Sequence, residues 1–161
     1  MNAVTEASHL STVAQDLEQD RQQPLQIQPL SGRIGAVVHG ARLSGELAAE
    51  QFTQIHAALL RHRVLFFRGQ HHLTDASHQA FGRLFGEIES HPPVPAPDGT
   101  AFLELNSQHG GRADSWHTDV TFKAAFPKVC VLRAVTLPGH GGDTVWAVSY
   151  THLTLPTKRI V

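Results

Sequence analysis

The sequence predicts an α+β chain whose second half is mainly β. Two stretches carry apolar residues at helical spacing, 47–60 and 80–85, and short alternating or continuous apolar runs of strand character lie before, between and after them. Hydrophobic residues make up 41% of the 161, enough apolar surface for a real core, while charged residues are held to 17%. A formal net charge of −1 gives no electrostatic case for nucleic acid or an anionic membrane, so neither is expected as a partner.

Residues 1–23 are polar with too few apolar positions for a stable face, and are expected to be a frayed or partly helical leader. From Leu25 the pattern turns strand-like through Ile27, Ile34, Ala36 and Val38, with Gly32, Gly35 and Gly40 as turns or bulges. A helix follows, with Ser44 as its cap and Leu47, Phe52, Ile55, Leu59 and Leu60 on one side. His56 falls on that stripe and reads as a core or boundary histidine, since no ligand pattern surrounds it. Residues 64–67 form a continuous apolar run that suits a strand buried on both faces. Thr74 caps a second helix with Ala80, Phe81, Leu84 and Phe85 buried, and Gly86 ends it.

Four prolines at 92, 93, 95 and 97 forbid helix and central strand alike, so 91–98 reads as an extended loop of the kind that rims sites. Strand-like runs resume at 101–105, 118–122 and 129–135. Cys130 stands alone, so no internal disulfide forms and a cytoplasmic setting is the default. No apolar run suits a signal peptide or a membrane span.

Twelve histidines raise the question of metal chemistry, and one segment answers it by spacing. Residues two apart on a strand point the same way, so His117 and Asp119 would project an imidazole and a carboxylate from one face onto adjacent positions of a metal. One more imidazole would complete the two-His, one-carboxylate facial triad, which leaves three positions on Fe(II) open. The alternative is a hydrogen-bonded polar pair on a strand edge. Downstream, Thr144 follows the tight Gly141-Gly142-Asp143 turn and can offer a hydroxyl to a carboxylate.

An ordered set of motifs then carries a family likeness. These are Pro29-Leu30-Ser31-Gly32-Arg33-Ile34-Gly35-Ala36, Leu65-Phe66-Phe67-Arg68-Gly69-Gln70, the run from Phe81 to Gly86, His91-Pro92, Trp116-His117-Thr118-Asp119-Val120-Thr121-Phe122 and Gly141-Gly142-Asp143-Thr144-Val145-Trp146. From about Gln28 to Ala147 the chain resembles the taurine and 2,4-D dioxygenase family of Fe(II)- and 2-oxoglutarate-dependent oxygenases. Arg33-Ile34-Gly35-Ala36, Leu43-Ser44-Gly45, Ser115-Trp116 and Arg133-Ala134-Val135 look most like its alkylsulfate dioxygenases.

The resemblance implies a double-stranded β-helix, or jelly roll, with flanking helices. It implies Fe(II) held by His117 and Asp119, 2-oxoglutarate as co-substrate with Thr144 on a carboxylate, and a sulfo group contacted by His91 beside the main chain at Val120. The implied reaction uses O2 to hydroxylate an organosulfur substrate while 2-oxoglutarate becomes succinate and CO2; hydroxylation at the carbon bearing a sulfate ester releases an aldehyde and sulfate. Taurine enzymes carry an aromatic residue three after the His-Pro histidine and an Asn four before the iron histidine, where this chain has Val94 and Ala113. Those departures favour a longer, more apolar substrate.

Family members resembling this one form homo-oligomers. The pattern also needs a second iron histidine and an arginine for the far 2-oxoglutarate carboxylate. Residues 24–147 are therefore expected to be the N-terminal portion of the domain, and 148–161 an unmatched tail in which His152 is a poor substitute ligand. On this reading the chain as written holds an incomplete jelly roll, a truncated fragment without turnover. Other readings are a dioxygenase for taurine, another sulfonate or another small organic acid, a non-catalytic barrel holding a metal or carboxylate through His117, Asp119 and Thr144, and a zinc hydrolase.

Overall fold

A computed structural model describes residues 24–89, 103–105 and 115–148. They fall into two compact units: residues 24–42, 48–70 and 134–148 in one, and 43–47, 71–89, 103–105 and 115–133 in the other. The expected leader, the proline-rich loop with His91, and the tail from residue 149 onward lie outside the described residues.

In the first unit, β1 (Gln26–Pro29) runs antiparallel to β2 (Ala36–His39), with Gln26 opposite His39 and Pro29 opposite Ala36. Both strands match the alternation read from the sequence. Pro29 is tolerated because β1 is an edge strand among the described residues, where a missing N–H costs no ladder bond. The hairpin closes through the Leu30 amide, which donates to the Gly35 carbonyl at 2.9 Å. Ser31 reinforces it: its hydroxyl donates to the Ile34 carbonyl at 2.6 Å and accepts from the Ile34 amide at 3.2 Å. Gly35 is required here, at φ +89 and with Phe66 Cε2 3.6 Å from where a Cβ would stand.

β2 is the centre of the core, with Ala36, Val37 and Val38 buried. Helix α1 (Ala49–His62) carries the chain across and returns it as β3 (Leu65–Phe66), parallel to β2 with Ala36 opposite Leu65. A parallel pair needs such a crossover, and a helix is its usual form. The helix buries Gln51, Ile55 and Ala58, a set at i, i+4 and i+7. That face corrects the expected stripe: Leu60 is 70% exposed and His56 stands outside, its ring beside Phe52, because both lie off the line through 51, 55 and 58.

The start of α1 also differs from expectation. Its N-cap is Ala48, whose side chain offers no bond, while the Ser44 hydroxyl accepts from the Glu46 amide at 3.1 Å and so shapes a turn upstream of the helix. At the other end Arg63 takes φ +66, an uncommon conformation for a residue with a Cβ, and its amide donates to Leu59 O at 2.7 Å. Its guanidinium holds the turn by donating to the Arg61 and Arg33 carbonyls. The strand expected at 64–67 is only the two half-buried residues of β3, since among the described residues it has one neighbour, β2, rather than two.

In the second unit, α2 (Asp75–Arg83) begins at the Thr74 cap that the sequence indicates. The Thr74 hydroxyl accepts from the Ser77 amide at 3.2 Å and the Ser77 hydroxyl accepts from the Thr74 amide at 2.9 Å, a reciprocal capping box. Phe81 is the buried anchor and meets Phe85 edge-on, with ring centroids 5.4 Å apart. Gly45 packs so closely on this helix that a Cβ there would stand 2.5 Å from Ala80 Cβ.

No strand occurs in 103–105 or 115–148, which corrects the expectation of β-structure at 118–122 and 129–135 and in the described part of 101–105. A strand must give its N–H and C=O groups to a neighbour, and no described segment pairs with these. Among the described residues the α+β class therefore holds with one small mixed sheet and two helices, not as a mainly β structure. Residues 131–133 are held by side chains instead: the His78 imidazole bonds the Val131 carbonyl at 3.1 Å, and Arg133 reaches the Leu73 carbonyl at 2.6 Å and the Asp75 carboxylate. No described helix is long and apolar enough to cross a membrane.

Candidate metal centre

His117 and Asp119 meet, but on irregular backbone just before a turn rather than on a pleat. Residues 119–122 form a turn in which the Lys123 amide donates to Val120 O at 3.2 Å and Val120 takes φ +52. A β-branched residue in the left-handed region is strained, at a cost of roughly 1–3 kcal/mol, and such strain collects at functional sites. His117 Nε2 lies 3.2 Å from Asp119 Oδ1, with both side chains about half exposed. Each of these two groups is thus reachable from solvent.

The hydrogen bonds around the pair settle which atoms face outward. His117 Nδ1 bonds the Ser115 carbonyl at 2.8 Å, so the ring donates there and Nε2 is the nitrogen left for a metal. The Cys130 thiol donates to Asp119 Oδ2 at 3.4 Å, which leaves Oδ1 beside Nε2. Donors about 2.1 Å from a divalent ion lie about 3 Å apart at adjacent corners, so the observed spacing fits Fe(II) or a similar ion. Among the described residues no group of three or more His, Cys, Asp or Glu side chains is placed to hold a metal ion.

The electrostatics follow from these contacts. The Ser115 carbonyl, and after it the Asp119 carboxylate, hold the His117 pKa above the usual histidine value by favouring the protonated ring. Cys130 is exposed overall, yet desolvation of its thiol and the bond to Asp119 push its pKa up, keeping it a neutral donor. Sequence reasoning finds His117 and Asp119 but misses both partners. Ser115 is a residue type with no metal signature, acting through its main chain, and Cys130 is eleven residues from Asp119 with no periodicity linking them.

Val120 is adjacent to the pair and half-buried, at the strained turn. Thr144 belongs to the other unit, following Gly141 and Gly142 at φ +73 and +72. Its hydroxyl has no hydrogen-bond partner among the described residues, and the residue lines a pocket of about 240 Å³ together with Leu30, Ile34, Val64, Phe66, Val145 and Trp146. A free hydroxyl over an apolar wall suits a small carboxylate ligand with an aliphatic body. His91 lies outside the described residues.

Comparison with known proteins gives the lineage. Residues 26–154, a span that runs past Ala147, match the model of the "Taurine catabolism dioxygenase TauD, TfdA family". An alkylsulfatase of Acinetobacter baylyi is 54% identical over 134 residues, covering 83% of this chain and 42% of that protein. An alpha-ketoglutarate-dependent sulfate ester dioxygenase of Pseudomonas putida is 49% identical over 140 residues, covering 84% of this chain and 46% of that one. The chain thus spans less than half the length of these two relatives. A crystal structure of a taurine dioxygenase from Burkholderia xenovorans is 45% identical where it superposes, over 49% of this chain and 28% of that one, with a TM-score of 0.45. With a family model covering most of its length, the chain belongs to the taurine catabolism dioxygenase TauD, TfdA family.

Proposed function

We propose that this chain is part of an Fe(II)- and 2-oxoglutarate-dependent dioxygenase that hydroxylates alkyl sulfate esters. The observation that carries the reading is the convergence of His117 Nε2 and Asp119 Oδ1 at 3.2 Å, with the other atom of each side chain already committed to Ser115 or Cys130. The names of the two relatives near 50% identity supply the substrate class. Fe(II) bound there with 2-oxoglutarate and O2 supplies the oxidising power for hydroxylating an unactivated C–H bond.

His117 and Asp119 hold the ion as two adjacent ligands, and the Ser115 carbonyl fixes the imidazole tautomer and ring plane. Thr144 donates its hydroxyl to one carboxylate of 2-oxoglutarate. His91 and the main chain at Val120 face the sulfo group. Val94 and Ala113, where taurine enzymes of the family carry an aromatic residue and an Asn, remove contacts suited to a small sulfonate and leave room for an alkyl chain. Hydroxylation of the carbon bearing the ester gives a product whose C–O bond to sulfate breaks as the new hydroxyl loses its proton, leaving aldehyde and sulfate. The complete domain is read as a double-stranded β-helix, with residues 24–147 in its N-terminal portion, and the single cysteine suits a cytoplasmic setting.

The test uses the full-length protein with Fe(II), 2-oxoglutarate, O2 and either hexyl sulfate or taurine, measuring succinate, sulfate and sulfite. Succinate and sulfate formed in equal amounts with hexyl sulfate are expected, with little sulfite from taurine. Sulfite from taurine at a higher rate would move the reading to a sulfonate substrate. Fe(II) affinity unchanged in both His117→Ala and Asp119→Ala would overturn the metal centre itself.

A further inference from the structure

Residues 141–147 lie outside the described strands, and among the described residues no backbone hydrogen bond ties them to the sheet. Among the described residues, side-chain packing is therefore what holds the segment around Thr144. Two contacts supply it. Pro138 closes against Gly142, where a Cβ would come within 3.1 Å of Pro138 Cγ. Two residues beyond Thr144, Trp146 meets Phe66 of β3 edge-on, ring centroids 5.4 Å apart at 84°. Val145 between them is 67% exposed and supplies no comparable anchor.

Phe66 is itself fixed. It sits in register with Val37 of the buried strand β2, and the Arg68 guanidinium lies 5.9 Å from its ring centroid. A ring on a paired strand is a rigid post, and an indole set against it in the edge-to-face arrangement has a preferred distance and tilt rather than a sliding surface. With Pro138 and Gly142 setting one end of the segment and Trp146 the other, the position of the Thr144 hydroxyl follows from where the indole sits.

We propose that Trp146, seated against Phe66, is the positioning residue that places the Thr144 hydroxyl for a 2-oxoglutarate carboxylate. This rests on the reading of Thr144 given above. Trp146 also walls the pocket beside Thr144, and in this role its effect is on the geometry of one hydrogen bond to a charged group. Such a bond contributes roughly 1.5–3 kcal/mol when well made, so its misplacement costs about 10-fold or more in affinity.

The experiment measures 2-oxoglutarate binding to the Fe(II)-loaded full-length protein by calorimetry without oxygen, alongside Fe(II) affinity of the same variants. Trp146→Ala is expected to weaken 2-oxoglutarate by about 10-fold while Fe(II) affinity stays within two-fold, and Trp146→Phe, which keeps an edge-to-face ring, to recover most of it. Phe66→Leu should copy Trp146→Ala and serves if that variant does not fold. An unchanged 2-oxoglutarate affinity in both Trp146→Ala and Phe66→Leu overturns the proposal, as does a parallel loss of Fe(II). Thr144→Val separates the layers: if it leaves 2-oxoglutarate affinity intact, the role of Thr144 itself fails, whatever Trp146 does.

Discussion

Replacing Gly45 by Ala places a methyl group 2.5 Å from Ala80 Cβ and 3.4 Å from Ala80 Cα, a contact that no rotamer change relieves because neither methyl can turn away. Ordinary carbon contacts lie near 3.5–4.0 Å, so the turn at 44–47 and helix α2 must separate by about 1 Å or more. Overpacking of this kind costs about 1–3 kcal/mol. The assay is urea denaturation of Gly45→Ala, Ala80→Gly and the double variant. Ala80→Gly alone loses about 1 kcal/mol of helix propensity. In the double variant the clash is gone, so its loss should return to about that value, giving a favourable coupling of roughly 1–3 kcal/mol. A loss below 0.5 kcal/mol in Gly45→Ala, or purely additive losses, would refute the close approach. The contact bears on the metal centre, since α2 and the residues just before it hold 131–133 through His78, Asp75 and the Leu73 carbonyl, and Cys130, next in the chain, touches Asp119.

Thr74→Ala removes the acceptor for the Ser77 amide and should cost about 0.5–2 kcal/mol by denaturant titration, with Thr74→Ser restoring most of it. His78 has its pKa lowered, first by burial and also by Arg133, against the opposing Val131 carbonyl and Asp75. The unfolded chain then binds the proton more readily, so this residue's contribution is complete above about pH 6.5 and is lost as pH falls through the lower folded value; His78→Gln should flatten that acid limb of the stability profile. Val120→Gly trades relief of about 1–3 kcal/mol of left-handed strain against an added chain entropy of roughly 0.5–1 kcal/mol, so its denaturation midpoint should equal or exceed the parent's. A clear fall in that midpoint would mean that the Val120 side chain, not its backbone, matters at the turn.

What could be read from residue order alone follows a physical division. Local signals were sufficient where the interaction is local: the Thr74 capping box spans three residues, and the β1–β2 hairpin is closed by Ser31 and Gly35 within its own turn. They were insufficient where pairing is remote. Apolar runs at 118–122 and 129–135 have strand composition, but composition cannot supply the neighbouring backbone that a strand needs, and Phe122 and Leu132 stay largely exposed. The buried stripe on α1 is rotated from the expected one by less than one residue's 100°, because Gln51 is buried where a polar residue hides the pattern and Leu60 is exposed where an apolar one suggests it.

His117 and Asp119 illustrate how an expected juxtaposition can arise on a backbone other than the expected one. Strand geometry predicts that His117 and Asp119 share a face, and the irregular backbone at 116–118 lets them approach to 3.2 Å without a strand. What the two geometries share is the spacing of one intervening residue, and that spacing survives either backbone. The orientation of the donor atoms does not. It depends on the Ser115 carbonyl taking Nδ1 and the Cys130 thiol taking Oδ2, so that Nε2 and Oδ1 remain together. The juxtaposition is thus written in the His-x-Asp spacing, whereas the presentation of its atoms is written in a main-chain carbonyl and a distant thiol, contacts visible only once the chain is folded.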